Sequence, residues 1–192
     1  MKNTAALILA AGESRRFGSP KLLARYRGRP LLCHGIETAR TVLPDRVYVV
    51  LGANREALAR HAAGARVVVN RDWQRGLASS ISAGIEALPD DIDHVLLLLA
   101  DQVGIGAYHL RLLLEAHGEW GRITCARYGA VLGVPAVFSR EWFSTLRSLE
   151  GDRGARYLLR RHREGVAAID LPAAAIDIDT VEEWRRLFAG KE

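Results

Sequence analysis

The chain has 192 residues, 49% hydrophobic and 26% charged, which excludes a disordered polymer and suits one compact domain over residues 1–192. Its longest apolar runs, residues 5–11 and 95–100, fall far short of the roughly 20 residues a membrane-spanning helix needs, so no membrane association is expected. Lys and Arg number 27 against 22 Asp and Glu, and a net charge of +5 favours small anionic ligands over nucleic acid, for which the aromatics are too sparse.

In chain order, short β-rich apolar runs at residues 4–9, 46–51, 66–69, 94–100, 123–126 and 134–138 read as strands. Helical periodicity fills residues 31–42, 55–63, 80–88, 108–117, 142–149 and 181–188. Strand and helix therefore alternate. With Leu and Val runs apolar on both faces, the expected fold is a three-layer, Rossmann-like α/β/α arrangement around a mostly parallel mixed sheet, in which residues 134–138 run antiparallel. Ligands of such sheets bind beyond the carboxyl ends of the strands, so the residues just after each strand carry the functional reading.

The first apolar stretch passes directly into a Gly/Arg loop and not into a small-residue cleavage site, and it reads as a mature strand of a cytoplasmic protein. Cys33 and Cys125 lack the paired spacing of a zinc site or disulfide framework and are expected as reduced, structural thiols. The six histidines, His34, His61, His94, His109, His117 and His162, show no metal-ligand spacing and are expected to be structural or exposed. No serine sits in a GxSxG elbow, so covalent nucleophilic catalysis is disfavoured.

The first strand ends in Leu9-Ala10-Ala11-Gly12 and continues Glu13-Ser14-Arg15-Arg16-Phe17-Gly18-Ser19-Pro20-Lys21. Small residues admit a ligand close to the backbone, exposed N–H groups cradle phosphate oxygens, and Arg16 with Lys21 offsets the charge of a triphosphate. The glycine spacing fits neither a Walker loop nor a dinucleotide fingerprint. A surface turn with solvated arginines is the other reading of these residues.

LAAGESRRFGSPK resembles the LAAGxSxRxGxxK signature of nucleotidyltransferases that activate a phosphorylated acceptor with a nucleoside triphosphate. It is most similar to the molybdenum cofactor cytidylyltransferase branch of the MobA-like family. The resemblance implies that Leu9, Ala10, Ala11 and Gly12 line base and ribose while Arg16 and Lys21 hold the triphosphate. The guanylyltransferase branch carries LAGG at this point, which favours CTP over GTP here.

The run Val95–Ala100 delivers Asp101 to the expected crevice, where one carboxylate plus phosphate oxygens and water suits Mg²⁺. A helix cap for the segment starting near Gly106 is the competing use of Asp101. Near the C-terminus, Asp177 and Asp179 fall on one face of an extended segment, with Asp179 or Thr180 also placed to cap the last helix. The family motifs ADQP and DIDTPEDL stand here as ADQV and DIDTVEEW, with Val103 and Val181 in the proline positions. The resemblance implies Asp101 and Asp179 as ligands of Mg²⁺ (or Mn²⁺), with Asp177 in reserve.

GLASSISAGI is similar to the family's GMxxSLxxG segment and implies Ser80 as a nucleotide contact, although serines at a helix start also serve as caps. Gly133 and Pro135 match a G-x-P element. Gly151-Asp152-Arg153-Gly154 matches GDKGAR, with Arg153 in the lysine position, and both are implied around the second substrate. A solvated arginine loop is the other reading of residues 151–156.

The expected activity is transfer of CMP from CTP to the terminal phosphate of a molybdopterin-type acceptor with release of pyrophosphate, with Arg16, Lys21 and Asp101 as the catalytic set. Beyond substrates, the resemblance implies a molybdoenzyme or its chaperone as partner. Alternatives are a GTP-using guanylyltransferase, a nucleotidyltransferase for another phosphorylated acceptor, and a non-catalytic nucleotide-binding accessory protein. An inverting glycosyltransferase would need a DxD-like metal motif after a middle strand; Ala100-Asp101-Gln102 lacks the second acid, and the Asp177/Asp179 pair lies too late in the chain.

Overall fold

The computed structural model describes residues 3–176, 178 and 180–188. Seven strands form one sheet: β1 (Thr4–Ala10), β4 (Val47–Leu51), β5 (Arg66–Val69), β6 (His94–Leu99), β7 (Ile123–Tyr128), β8 (Val131–Ser139) and β9 (Ala167–Asp170). A two-stranded ribbon of β2 (Arg25–Tyr26) and β3 (Arg29–Pro30) lies apart from it. The helices are α1 (Leu31–Val42), α2 (Arg55–Ala59), α3 (Leu77–Glu86), α4 (Ala107–Trp120), α5 (Phe143–Arg147), α6 (Ala155–Arg161) and α7 (Val181–Phe188).

The strand order is β5-β4-β1-β6-β8-β7-β9, and β8 alone runs against its neighbours. Every residue of β1 and β4 is buried, because both faces of the sheet are covered. On β1, Ala6, Ile8 and Ala10 join the core beneath α1 and α4, while Ala5, Leu7 and Leu9 join the core beneath α3, α5 and α6. That period of two, repeated on β4 and β6, separates the three layers. The expected α/β/α fold and the antiparallel β8 are both present.

Chain order runs outward from β1 through β4 to β5 and then returns to β6 on the other side of β1. Loops leaving β1 and β6 therefore diverge, and the crevice opens where strand order reverses. Leu9 lies in register with Leu99, so Ala10 and Ala100 leave the sheet side by side.

The differences from the sequence reading have local causes. Helix α2 stops at Ala59, short of residue 63, and α3 starts at Leu77, ahead of residue 80. The strand β9, Ala-Ala-Ile-Asp, lacks the β-branched density that signals a strand, and β2 and β3 are too short for any periodicity to register. Among the described residues, no helix is long and apolar enough to cross a membrane.

Candidate active site

The loop after β1 is folded by its own residues. Ser14 and Gly18 adopt left-handed backbone, φ 60° and 73°, and bracket the 3₁₀ turn Arg15–Phe17. A serine in that region is uncommon and here closes the chain tightly over the end of the sheet. Phe17 and Leu22 are buried in the core, and the Phe17 ring packs edge-on against Trp184 of α7 at 6.4 Å. Two apolar anchors thus hold a loop whose cationic residues, Arg15, Arg16 and Lys21, face a cavity of about 600 Å³.

That cavity lies at the sheet switch point. Leu9, Ala10, Ala11, Gly12, Arg16, Lys21, Ser80 and Asp101 all line it, so the loop, the end of β6 and the start of α3 converge on one cavity. A Cβ built on Gly12 would meet nothing within 4 Å, which leaves the backbone there open to a ligand.

Lys21 ties three distant segments together. Its ammonium donates to Asp101 Oδ2 at 2.5 Å and to the carbonyl of Ile178 at 2.7 Å. Both partners of the ion pair are largely shielded, with 14% and 17% of their side chains exposed. Asp101 Oδ1 is buried with no hydrogen-bond partner among the described residues. An unpartnered buried carboxylate oxygen is costly, and it is the group a cation or a ligand donor would satisfy.

Asp101 is not a helix cap. The residue preceding α4 is Gly106, whose N–H donates to His109 Nδ1 at 3.0 Å. At α7 the cap is Thr180: Glu183 N–H donates to Thr180 Oγ1 at 3.2 Å, and Thr180 N–H donates to Glu183 Oε2 at 3.0 Å. Asp177 and Asp179 lie outside the described residues, but Ile178 between them hydrogen-bonds to Lys21.

The second-substrate set divides. Asp152 lines the cavity, brought there because the Gly151 loop packs on the start of α3, with Ala78 N–H donating to Gly151 O at 3.0 Å. Gly154 abuts Leu77 of α3. Arg153 does not line the cavity; it turns to an adjoining groove, its guanidinium 4.9 Å from the Tyr157 ring centre. Gly133 and Pro135 flank Val134 on β8, whose carbonyl accepts from Gln102 Nε2 at 2.8 Å. The same Nε2 also donates to Ala174 O at 3.1 Å, so the residue after Asp101 clamps β8 to the C-terminal segment.

Sequence reasoning missed several lining residues, notably Trp73, Gln74 and Leu77. A tryptophan three positions before Gly76 in the same loop was the available signal. The histidines are not all isolated. At the opposite end of β6, His94 Nδ1 lies 3.1 Å from His117 Nε2, and His117 Nδ1 lies 3.2 Å from Thr124 Oγ1. Burial first, then the neighbouring His94, pushes the His117 pKa down to about 4. Cys125 is buried and free, and burial pushes its thiol up to about 12, which disarms it as a nucleophile.

Residues 6–166 match the model of the MobA-like NTP transferase domain. The chain belongs to the MobA-like NTP transferase family. It is 37% identical to nicotine blue oxidoreductase of Paenarthrobacter nicotinovorans over 95% of both chains. It is 31% identical to the purine catabolism protein PucB of Bacillus subtilis, over 93% of this chain and 92% of that one. Among solved structures it is similar to Rv0371c of Mycobacterium tuberculosis, with a TM-score of 0.86, 31% identity and 98% coverage of both chains. A manganese complex of that protein aligns with a TM-score of 0.82 and 28% identity over 98% of both chains.

Proposed function

We propose that this MobA-like transferase, acting as one domain over residues 1–192, moves CMP from CTP to the terminal phosphate of a molybdopterin-type acceptor and releases pyrophosphate. The observation that carries the reading is Lys21 held between Asp101 and Ile178 on the wall of a cavity whose other side is the Gly12 to Arg16 loop. Such a cavity offers cations and open backbone to a polyanion, with one acidic oxygen left for a metal.

The acceptor phosphate is already an anion, so the reaction needs no general base. The protein aligns the acceptor oxygen opposite the leaving pyrophosphate and neutralises charge that builds on the phosphates. Arg16 and Lys21 carry the cationic part, and Leu9, Ala10, Ala11 and Gly12 let base and ribose approach. Ser80 holds the nucleoside end, with the apolar walls of Trp73 and Leu77 beside it. Asp152 lines the cavity as the acceptor-side contact, and Gly133, Pro135, Gly151 and Gly154 make up the rest of the second-substrate set, from which Arg153, turned to the next groove, is left out.

The buried, unpartnered Asp101 Oδ1 fits a divalent cation, and the manganese-bound relative supports the same reading. Asp101 and Asp179 would hold Mg²⁺ or Mn²⁺. The ion would supply Lewis-acid charge on the phosphate oxygens. Lys21, by pairing with Oδ2, holds the carboxylate in place.

One observation favours a second reading. The relative at 37% identity is named an oxidoreductase, so electron transfer to an organic substrate in the same cavity competes with nucleotidyl transfer. The test is a screen of CTP, GTP, ATP and UTP with divalent metal and acceptor, read as pyrophosphate release, beside an assay of reduced nicotinamide oxidation with aromatic acceptors. Pyrophosphate with CTP and no nicotinamide oxidation supports the proposal. Nicotinamide oxidation without pyrophosphate contradicts it.

A further inference from the structure

Ser80 lies in a polarity trap that Asn70 sets. Asn70 stands at the carboxyl end of β5 and is 4% exposed, as is Ser80 on α3. Its amide orientation is fixed by chemistry: Asp72 N–H, which can only donate, lies 2.9 Å from Asn70 Oδ1, so Nδ2 must face the serines. Nδ2 then donates to Ser79 Oγ at 2.9 Å and to Ser80 Oγ at 3.0 Å. Ser79 passes its own proton to the backbone carbonyl of Gly76 at 2.8 Å. Ser80 has received a donor and given none: among the described residues, no acceptor takes its hydroxyl proton. That proton belongs to a side chain on the cavity wall between Trp73 and Leu77.

Resting on the nucleotidyltransferase reading above, we infer that Asn70 is a positioning residue that turns the Ser80 hydroxyl proton to the cavity, so that the nucleoside is recognised through an acceptor atom. A hydroxyl carries one O–H and two lone pairs; the Asn70 amide takes one lone pair and holds the rotor so that the O–H, which has no acceptor among the described residues, is turned to the ligand. The isosteric change Asn70→Asp reverses the arrangement. A carboxylate still accepts from Asp72 N–H but donates nothing, so Ser80 turns its proton toward residue 70 and presents a lone pair to the cavity. A donor replaced by an acceptor meets the ligand's acceptor with repulsion and leaves both unsatisfied.

The test measures Kd by calorimetry for magnesium CTP and for magnesium tripolyphosphate, which has the phosphates but no nucleoside. Four full-length proteins are compared: wild type, Asn70→Asp, Ser80→Ala and the double variant. Asn70→Asp weakens CTP by about tenfold more than it weakens tripolyphosphate. In the Ser80→Ala background the same change adds less than twofold. Should Asn70→Asp fail to fold, Asn70→Ala takes its place in the cycle, with a smaller loss on CTP that again vanishes once Ser80 is alanine. Equal losses on CTP and tripolyphosphate, or an Asn70 effect that persists without Ser80, would overturn the inference while leaving the enzyme reading intact. Wild-type protein that binds tripolyphosphate but not CTP, or neither, overturns that reading and this inference together.

Discussion

Lys21 and Asp101, 80 positions apart in the chain, meet in a 2.5 Å ion pair at the point where the loops of β1 and β6 diverge. The pair is where sequence, topology and chemistry coincide: a loop lysine, a strand-end carboxylate and a sheet that places the two strands side by side.

Breaking that pair on one side leaves the other charge shielded and unmatched. Lys21→Met is expected to lower stability by about 1–3 kcal/mol, less than a fully buried pair because both side chains retain some solvent. The Lys21→Met/Asp101→Leu double variant should recover part of the loss. Urea midpoints of the three variants measure this, and additive losses would show that the two residues do not interact.

Gly12 separates folding from ligand binding. No atom lies within 4 Å of a Cβ built there, so Gly12→Val should leave the melting temperature within a few degrees of wild type. The added side chain enters the cavity, and KM for the nucleotide should rise by about tenfold or more, the effect of displacing a close backbone contact. Thermal melts and initial-rate kinetics on one preparation decide it.

The His94/His117 pair gives stability a defined pH dependence. Both imidazoles have their pKa lowered by burial, His117 to about 4 from an ordinary 6.5. The unfolded chain therefore takes up protons first as pH falls, so stability is complete above about 6.5 and declines toward about 4, by an amount on the order of 2 kcal/mol. His117→Gln should flatten the change in urea midpoint between pH 7 and pH 5. An unchanged slope would remove the pair from the explanation.

Phe17 tests the anchoring of the loop. It is buried against the core and packs edge-on to Trp184, so Phe17→Ala should cost about 3 kcal/mol and raise KM for the nucleotide as Arg15 and Arg16 lose their footing. Stability loss without a KM change would mean that the arginine loop is held by other contacts.

The sheet was legible because its strands are apolar on both faces, and the cavity because small residues, an arginine loop and a strand-end acid have chemistry that local sequence displays. The ribbon β2–β3 and strand β9 were not legible, since two-residue strands and an alanine-rich segment carry no periodic signal. Arg153 illustrates another limit: a motif position puts it beside the acceptor, whereas cation-π packing on Tyr157 turns it to the next groove. The His94/His117 contact arises from β6 and α4 meeting in space, which no spacing between positions 94 and 117 encodes. Trp73 and Leu77 contribute to the cavity through the turn at Gly76, where φ is 98°.

The most direct measurement is pyrophosphate release by wild type and Asp101→Asn with CTP, divalent metal and a molybdopterin-type acceptor. Asparagine keeps an oxygen for Lys21 but loses the negative charge, so the account predicts a fall in kcat/KM of at least about 100-fold, with a stability loss no larger than that of Lys21→Met and a protein still folded at the assay temperature. An Asp101→Asn enzyme that releases pyrophosphate at the wild-type rate would contradict it.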